Sequence, residues 1–283
     1  MKVLVFASQK GGVGKTTTTA NLGASLASGG FRVLLIDLEL QGQLGVSLGA
    51  IAKKPKDIGS ALLDYIDARD IGDLESLPSL RERMLDRSVL LKGFDSAGSL
   101  HVIGSVMALT ERAKAEVAKR GWDATATLRH LLLSVKDDFD FVLIDTPPSA
   151  DALSSVALAA GDYVIAICNP RIATADGARV VRNSTSKVPE RTGGVCNPQF
   201  LGTILNEARP PSKRTDETDT VDEYLAKWDL KVFAKQIRTS DQISASYGVS
   251  RPIVIDEPSY AASRWYEDLT QELLDRLAKA DAA

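Results

Sequence analysis

The residues best placed to do chemistry stand near the start of the chain, in the run Gln9-Lys10-Gly11-Gly12-Val13-Gly14-Lys15-Thr16-Thr17. An apolar stretch, Lys2 to Ser8, leads into it, and an alanine- and threonine-rich stretch with helical spacing follows. Glycines in such a strand-to-helix turn let successive backbone N–H groups curl around an anion. The first turn of the following helix adds roughly half a positive charge behind them. Gly11, Gly12, Val13, Gly14, Lys15, Thr16 and Thr17 therefore read as a phosphate cradle. Lys15 would reach the β and γ phosphates, and the Thr16 hydroxyl would sit on Mg2+, a hard ion that takes oxygen ligands. A second candidate is Asp145, which ends the apolar run from Phe141 and precedes Thr146-Pro147-Pro148. A carboxylate at the carboxyl end of a buried strand is where an open α/β sheet holds its ligand and where Mg2+ needs a water-mediated anchor.

Such groups need a rigid frame, and the hydrophobic pattern supplies one. Short Val/Ile/Leu runs at 2–8, 32–37, 99–104, 141–145, 162–168 and 199–205 read as strands. Between them, 14–29, 57–68, 105–120, 124–138, 149–160 and 172–187 read as helices. This alternation predicts an α/β fold, a doubly wound, mostly parallel sheet with helices on both faces, spanning 1–283 as one domain. The segment 70–98 reads as a surface excursion with a short helix. Ala208 to Thr215 is a basic, proline-punctuated loop, Asp219 to Trp228 is amphipathic, and 259–279 is a terminal helix.

The composition, 283 residues with 44% hydrophobic and 25% charged, excludes a disordered tail, a collagen or a coiled coil. With 34 Lys and Arg against 37 Asp and Glu the net charge is −3, so any surface for a polyanion must be a local patch. Two cysteines, Cys168 and Cys196, are too few for a disulfide framework and fit a reducing compartment, which points to the cytoplasm. The first apolar stretch is too short for a signal peptide, and no run approaches the roughly 20 residues of a bilayer span. His101 and His130 lack metal-ligand spacing.

The loop departs from the ordinary phosphate-loop pattern. Gln9 stands where a glycine is usual, six positions before Lys15, and a second lysine, Lys10, lies inside the loop. It resembles the deviant Walker A box of the ParA/MinD family of P-loop ATPases. The resemblance implies ATP and Mg2+ as cofactors, a nucleotide-sandwich homodimer in the ATP state, and a signature lysine, Lys10, that reaches phosphates held by the partner subunit. A cation delivered from a second chain makes dimerisation depend on the nucleotide. The same resemblance covers nearly the whole chain. It makes Asp37 the carboxylate facing Mg2+ and switch I, and Asp140 to Ser149 the Walker B strand and switch II. It marks Asn206, after Phe200 to Leu205, as a residue bordering the adenine. Ile237 to Gly248 resembles the late base-side and interface segment, without its usual proline. Where the family carries a second aspartate that orients the attacking water, this chain has Glu39, and Leu40 replaces the proline. A carboxylate displaced on the order of 1 Å at a reacting centre can lower a rate 10²-fold, so slow ATP hydrolysis is expected.

The rest of the sequence bears on what the ATPase serves. The chain's last residues mix acids among the bases, unlike the basic amphipathic helix of MinD-like members, so no membrane docking is expected. Cys168 and Cys196 lie away from switch II, which disfavours an iron–sulfur role. The segment 171–251 holds 13 Lys and Arg against 10 Asp and Glu, a local +3 within a chain of −3. Arg179, Arg182, Lys187, Lys213 and Arg214 are the candidate contacts for nonspecific DNA, which needs phosphate-neutralising cations and no base-reading groups. The loop begins within the first ten residues, so no DNA-reading domain is expected before it. These readings imply a ParA-like ATPase of DNA segregation, nucleoid-associated in the cytoplasm, with a ParB-like or other cargo adaptor that stimulates hydrolysis. The alternatives are positioning of a protein cargo such as carboxysomes, and a P-loop ligase of the dethiobiotin synthetase kind.

Overall fold

The computed structural model describes residues 1–75, 77–95, 97–213 and 215–282. Among these, seven strands form one sheet: β1 (Lys2–Ala7), β2 (Arg32–Asp37), β3 (Leu85–Asp86), β4 (Ser99–Ile103), β5 (Phe141–Asp145), β6 (Tyr163–Cys168) and β7 (Gln199–Leu205). Their order is β3-β4-β2-β5-β1-β6-β7, and every neighbouring pair is parallel except β3 with β4. The doubly wound α/β reading therefore holds. Parallel strands joined by helical crossovers are covered on both faces, which is why β1, β2, β5 and β6 read as unbroken apolar runs.

The helices are α1 (Lys15–Ser28), α2 (Gln43–Ser47), α3 (Ile58–Ile71), α4 (Met107–Arg120), α5 (Thr127–Leu133), α6 (Ala152–Ala160), α7 (Ile172–Ser186), α8 (Val188–Arg191), α9 (Asp216–Lys227), α10 (Asp241–Gly248), α11 (Ile253–Asp256) and α12 (Ala261–Asp281). Side chains alternate across each strand, so Val3, Val5 and Ala7 enter one core with α3 to α7 and α9, while Leu4 and Phe6 enter the other with α1, α2, α11 and α12. The apolar stripe of α12, including Tyr266, Leu269, Leu273 and Leu277, is wholly consumed in this second core.

Four short elements escape the periodicity. β3, α2, α8 and α11 are two to five residues long, too short to show a repeat. The excursion 70–98 carries two 3-10 turns, Leu80–Arg83 and Ser88–Leu91, and lends β3 to the sheet edge. The helix expected at 124–138 is shorter, Thr127–Leu133, preceded by a 3-10 turn at Gly121–Ala124. No helix among the described residues is long and apolar enough to cross a membrane.

Two registers position the site. Phe6 pairs with Asp145 across β1 and β5, and Asp37 pairs with Asp145 across β2 and β5. The carboxyl ends of the three central strands therefore bring both carboxylates and the start of the glycine loop to one edge of the sheet, the usual ligand position in an open α/β fold.

Candidate functional site

The glycine run lies between β1 and α1 as its composition requires. Gly12 and Gly14 have φ of +73° and +79°, a left-handed backbone that favours glycine. Gly14 also caps α1, and a side chain there would collide with the Asn206 amide. The loop walls a cleft of about 350 Å³ lined by Ser8, Lys10, Gly11 to Thr17, Glu39, Gln41, Gln43, Pro148 and Tyr247. That volume is within the range of small-molecule sites.

Asp145 organises the floor. Its Oδ1 accepts from Lys15 Nζ at 2.7 Å and its Oδ2 from Thr16 Oγ1 at 2.6 Å. Lys15 is 6% exposed and Asp145 not at all. Thr146 Oγ1 donates to the Phe6 carbonyl, which ties the start of switch II back to β1. The donor set fits a magnesium nucleotide: a lysine, a threonine hydroxyl and a carboxylate converge below a loop of curled N–H groups.

Asp37 is placed differently from the expectation of a cation-facing carboxylate. It is fully buried, and its Oδ1 accepts from Glu39 N at 3.0 Å while its Oδ2 accepts from Leu44 N at 2.9 Å and Gly45 N at 3.3 Å. It thereby holds the turn into α2. Burial, followed by the neighbouring Asp145 carboxylate, pushes its own carboxyl well above the usual range.

Glu39 lines the cleft, but its Oε2 accepts from Gln41 N at 2.7 Å, so the carboxylate folds back on its own turn. Lys10 is exposed at the mouth, its backbone carbonyl accepting from Ser8 Oγ at 3.0 Å, and its ammonium makes no ion pair among the described residues. Asn206 does not stand free at a base pocket. Its Nδ2 donates to the Val13 carbonyl at 2.8 Å, and its backbone N–H donates to the Cys168 carbonyl, so it struts the loop from the end of β7.

The candidate DNA cations differ in their partners. Arg179 is held by Asp176 at 2.8 Å and by the Tyr224 hydroxyl at 3.0 Å, and its guanidinium stacks over Trp228. Arg182 donates to the Trp228 carbonyl. Both pin α7 to α9, which answers a packing need, and that use competes with phosphate binding. Lys187 caps α7 and is exposed. Arg214 lies outside the described residues. Lys213, by contrast, shares a cleft with Arg209, Arg238 and Trp265, brought together because Ala208 bridges Arg238. Sequence reasoning missed Arg209 and Arg238, since the two cations are distant in the chain and only the bridge beyond β7 joins them. The segment 237–248 is thereby divided: its start joins this basic cleft, and its end, Tyr247, reaches the loop cleft.

Cys168 and Cys196 are both free and buried, and burial pushes the Cys168 thiol up to about 12. Both are packing residues in their surroundings.

Residues 1–199 match the family model described as an AAA domain. The chain belongs to that family, and it is a P-loop ATPase of the ParA/MinD type. It is 28% identical to the chromosome partitioning protein ParA of Caulobacter vibrioides, over 99% of this chain and 98% of the relative. Among solved structures, apo McdA from Cyanothece aligns with a TM-score of 0.75 at 21% identity, over 96% of this chain and 99% of that one. Cobyrinic acid a,c-diamide synthase from Mycobacterium smegmatis, solved with an ATP analogue and magnesium, aligns at 0.67 with 29% identity, over 88% of this chain and 93% of that one.

Proposed function

We propose that this ATPase closes an ATP-dependent homodimer, binds DNA without sequence preference and lets go when a ParB-like or other cargo adaptor stimulates hydrolysis, in the service of DNA segregation. The observation that carries the reading is Lys10, a cation at the cleft mouth that its own chain leaves unpaired among the described residues while Lys15, a few residues on, is fully engaged. A lysine at that place is available to a second copy.

In this reading the Gly11 to Gly14 backbone and the head of α1 hold the phosphates, Lys15 leaves Asp145 to neutralise them, and Thr16 and Asp145 hold Mg2+. Bound MgATP supplies the transferable phosphoryl group and the charge that draws the second copy. Glu39 releases Gln41 N to orient water, an extra movement that suits slow turnover. DNA is taken by exposed cations, with Lys213, Arg209 and Arg238 in their shared cleft and Lys187 apart from them. The adaptor and cargo are identified by function alone.

Sizing of the protein with ATP, ADP and no nucleotide, beside DNA retention across a salt series, tests this. The expected result is an ATP-only dimer with salt-sensitive retention, and Lys10→Ala abolishing the dimer while nucleotide binding persists. A monomer in all three states overturns the reading.

The likeness to the diamide synthase at 29% identity favours a second reading, ligase chemistry in which ATP activates a small carboxylate. Consumption of ATP that requires an added carboxylate substrate, with no dimer, is the result that selects it.

A further inference from the structure

Tyr247 lines the loop cleft without taking part in holding the loop. It sits at the end of α10, where the Ser250 N–H donates to its carbonyl at 3.1 Å and Ser250 adopts a left-handed φ of +55°. Arg251 N–H closes the same turn onto the Ser246 carbonyl at 3.2 Å. These bonds fix the backbone turn that carries Tyr247. The residue is exposed at 37%, and its hydroxyl has no hydrogen-bond partner among the described residues, so it is open to a ligand in the cleft.

The neighbours say which part of a nucleotide it would meet. Tyr247 shares its wall with Lys10, Glu39, Gln41, Gln43 and Pro148, the groups of the phosphate end. The Arg209 cleft has a separate lining. Burial and the nearby Asp37 carboxylate hold the phenol above its usual range, and a phenol hydroxyl can donate to an anionic oxygen.

We propose that Tyr247 is a nucleotide-sensing residue whose hydroxyl donates a hydrogen bond to the terminal phosphate, distinguishing a triphosphate from a diphosphate. This rests on the ATP-binding reading of the cleft. It gives the cleft a neutral donor opposite the loop, one that is satisfied only when the third phosphate is present. A hydrogen bond to a charged oxygen is among the stronger ones, enough for a change on the order of tenfold in affinity.

The test is Tyr247→Phe, which keeps the ring and removes only the hydroxyl. Affinities for AMP-PNP and for ADP, each with Mg2+, are measured by calorimetry on wild type and variant. The expected result is about tenfold weaker AMP-PNP binding with ADP binding unchanged. Acetylation of Tyr247 by N-acetylimidazole, mapped by peptide mass, is expected to be blocked by AMP-PNP and left open by ADP. Unchanged AMP-PNP affinity, or an equal loss for both nucleotides, overturns the proposal while the ATPase reading stands. A wild type that binds neither nucleotide sinks the ATPase reading and this proposal with it.

Discussion

Lys15 Nζ lies 2.7 Å from Asp145 Oδ1, and the pair is sealed from solvent at the floor of the loop cleft. The same carboxylate takes the Thr16 hydroxyl, so the fold itself holds both the loop lysine and the threonine beside it on one internal anion. In the proposed function, a phosphate would draw that lysine away from its partner. Removing one member of a buried ion pair leaves an unpaired charge, at a cost of about 3–5 kcal/mol. Asp145→Asn and Lys15→Met are each expected to lower urea stability on that order, and the double variant to lose far less than the sum. Additive losses in the cycle would show that the pair is not coupled.

Asn206 carries a second expectation. An aspartate of the same shape cannot donate to the Val13 carbonyl, and it places an oxygen against an oxygen. Asn206→Asp is expected to weaken MgADP and MgATP alike by roughly tenfold or more, since a hydrogen bond broken in a buried place is worth about 1–3 kcal/mol. Calorimetry checks this, and an equal loss for both nucleotides is what separates the strut from Tyr247.

The basic residues divide into two classes with different signatures. Arg209→Ala with Lys213→Ala is expected to lower the slope of log affinity for DNA against log salt by about 2, one for each phosphate no longer neutralised. Arg179→Ala is expected to leave the slope unchanged and to lower the melting temperature, because it removes the link from Asp176 and Tyr224 between α7 and α9. A steep loss of slope in Arg179→Ala would return that residue to the DNA surface.

Protonation of His130 supplies a pH dependence. Its Nδ1 lies 2.7 Å from the Tyr65 hydroxyl, and burial, then Arg69 and Arg129, hold its pKa below the usual value. The unfolded chain therefore takes up the proton first as pH falls through about 6.5, and stability is lost on acidification until the folded ring also titrates. The difference in urea stability between pH 7 and pH 5 is expected to shrink in His130→Gln. An identical difference in both proteins would remove His130 from the account.

Much of this arrangement is legible in the sequence, and the reasons are local. The strands at 2–8, 32–37, 141–145 and 162–168 betray themselves by apolar runs, and the glycine loop by residue types that suit a tight turn between strand and helix. Lys15, Thr16 and Asp145 converge because parallel neighbours end together. What escapes is set by contacts beyond the reach of a local pattern. Asp37 reads as a carboxylate facing a cation, but three backbone N–H groups of the following turn claim it. Arg179 and Arg182 look like free cations in the sequence, and a tyrosine and a tryptophan at α9 occupy them.

The bridge between Ala208 and Arg238 has a mechanical reading. Arg209 follows Ala208 directly, and Asn206 stands two residues before it on the same stretch of backbone. One short span of backbone is thus fixed at both ends, by the bridge to Arg238 at Ala208 and by the Asn206 amide on the Val13 carbonyl, so the basic cleft and the glycine loop share a common brace.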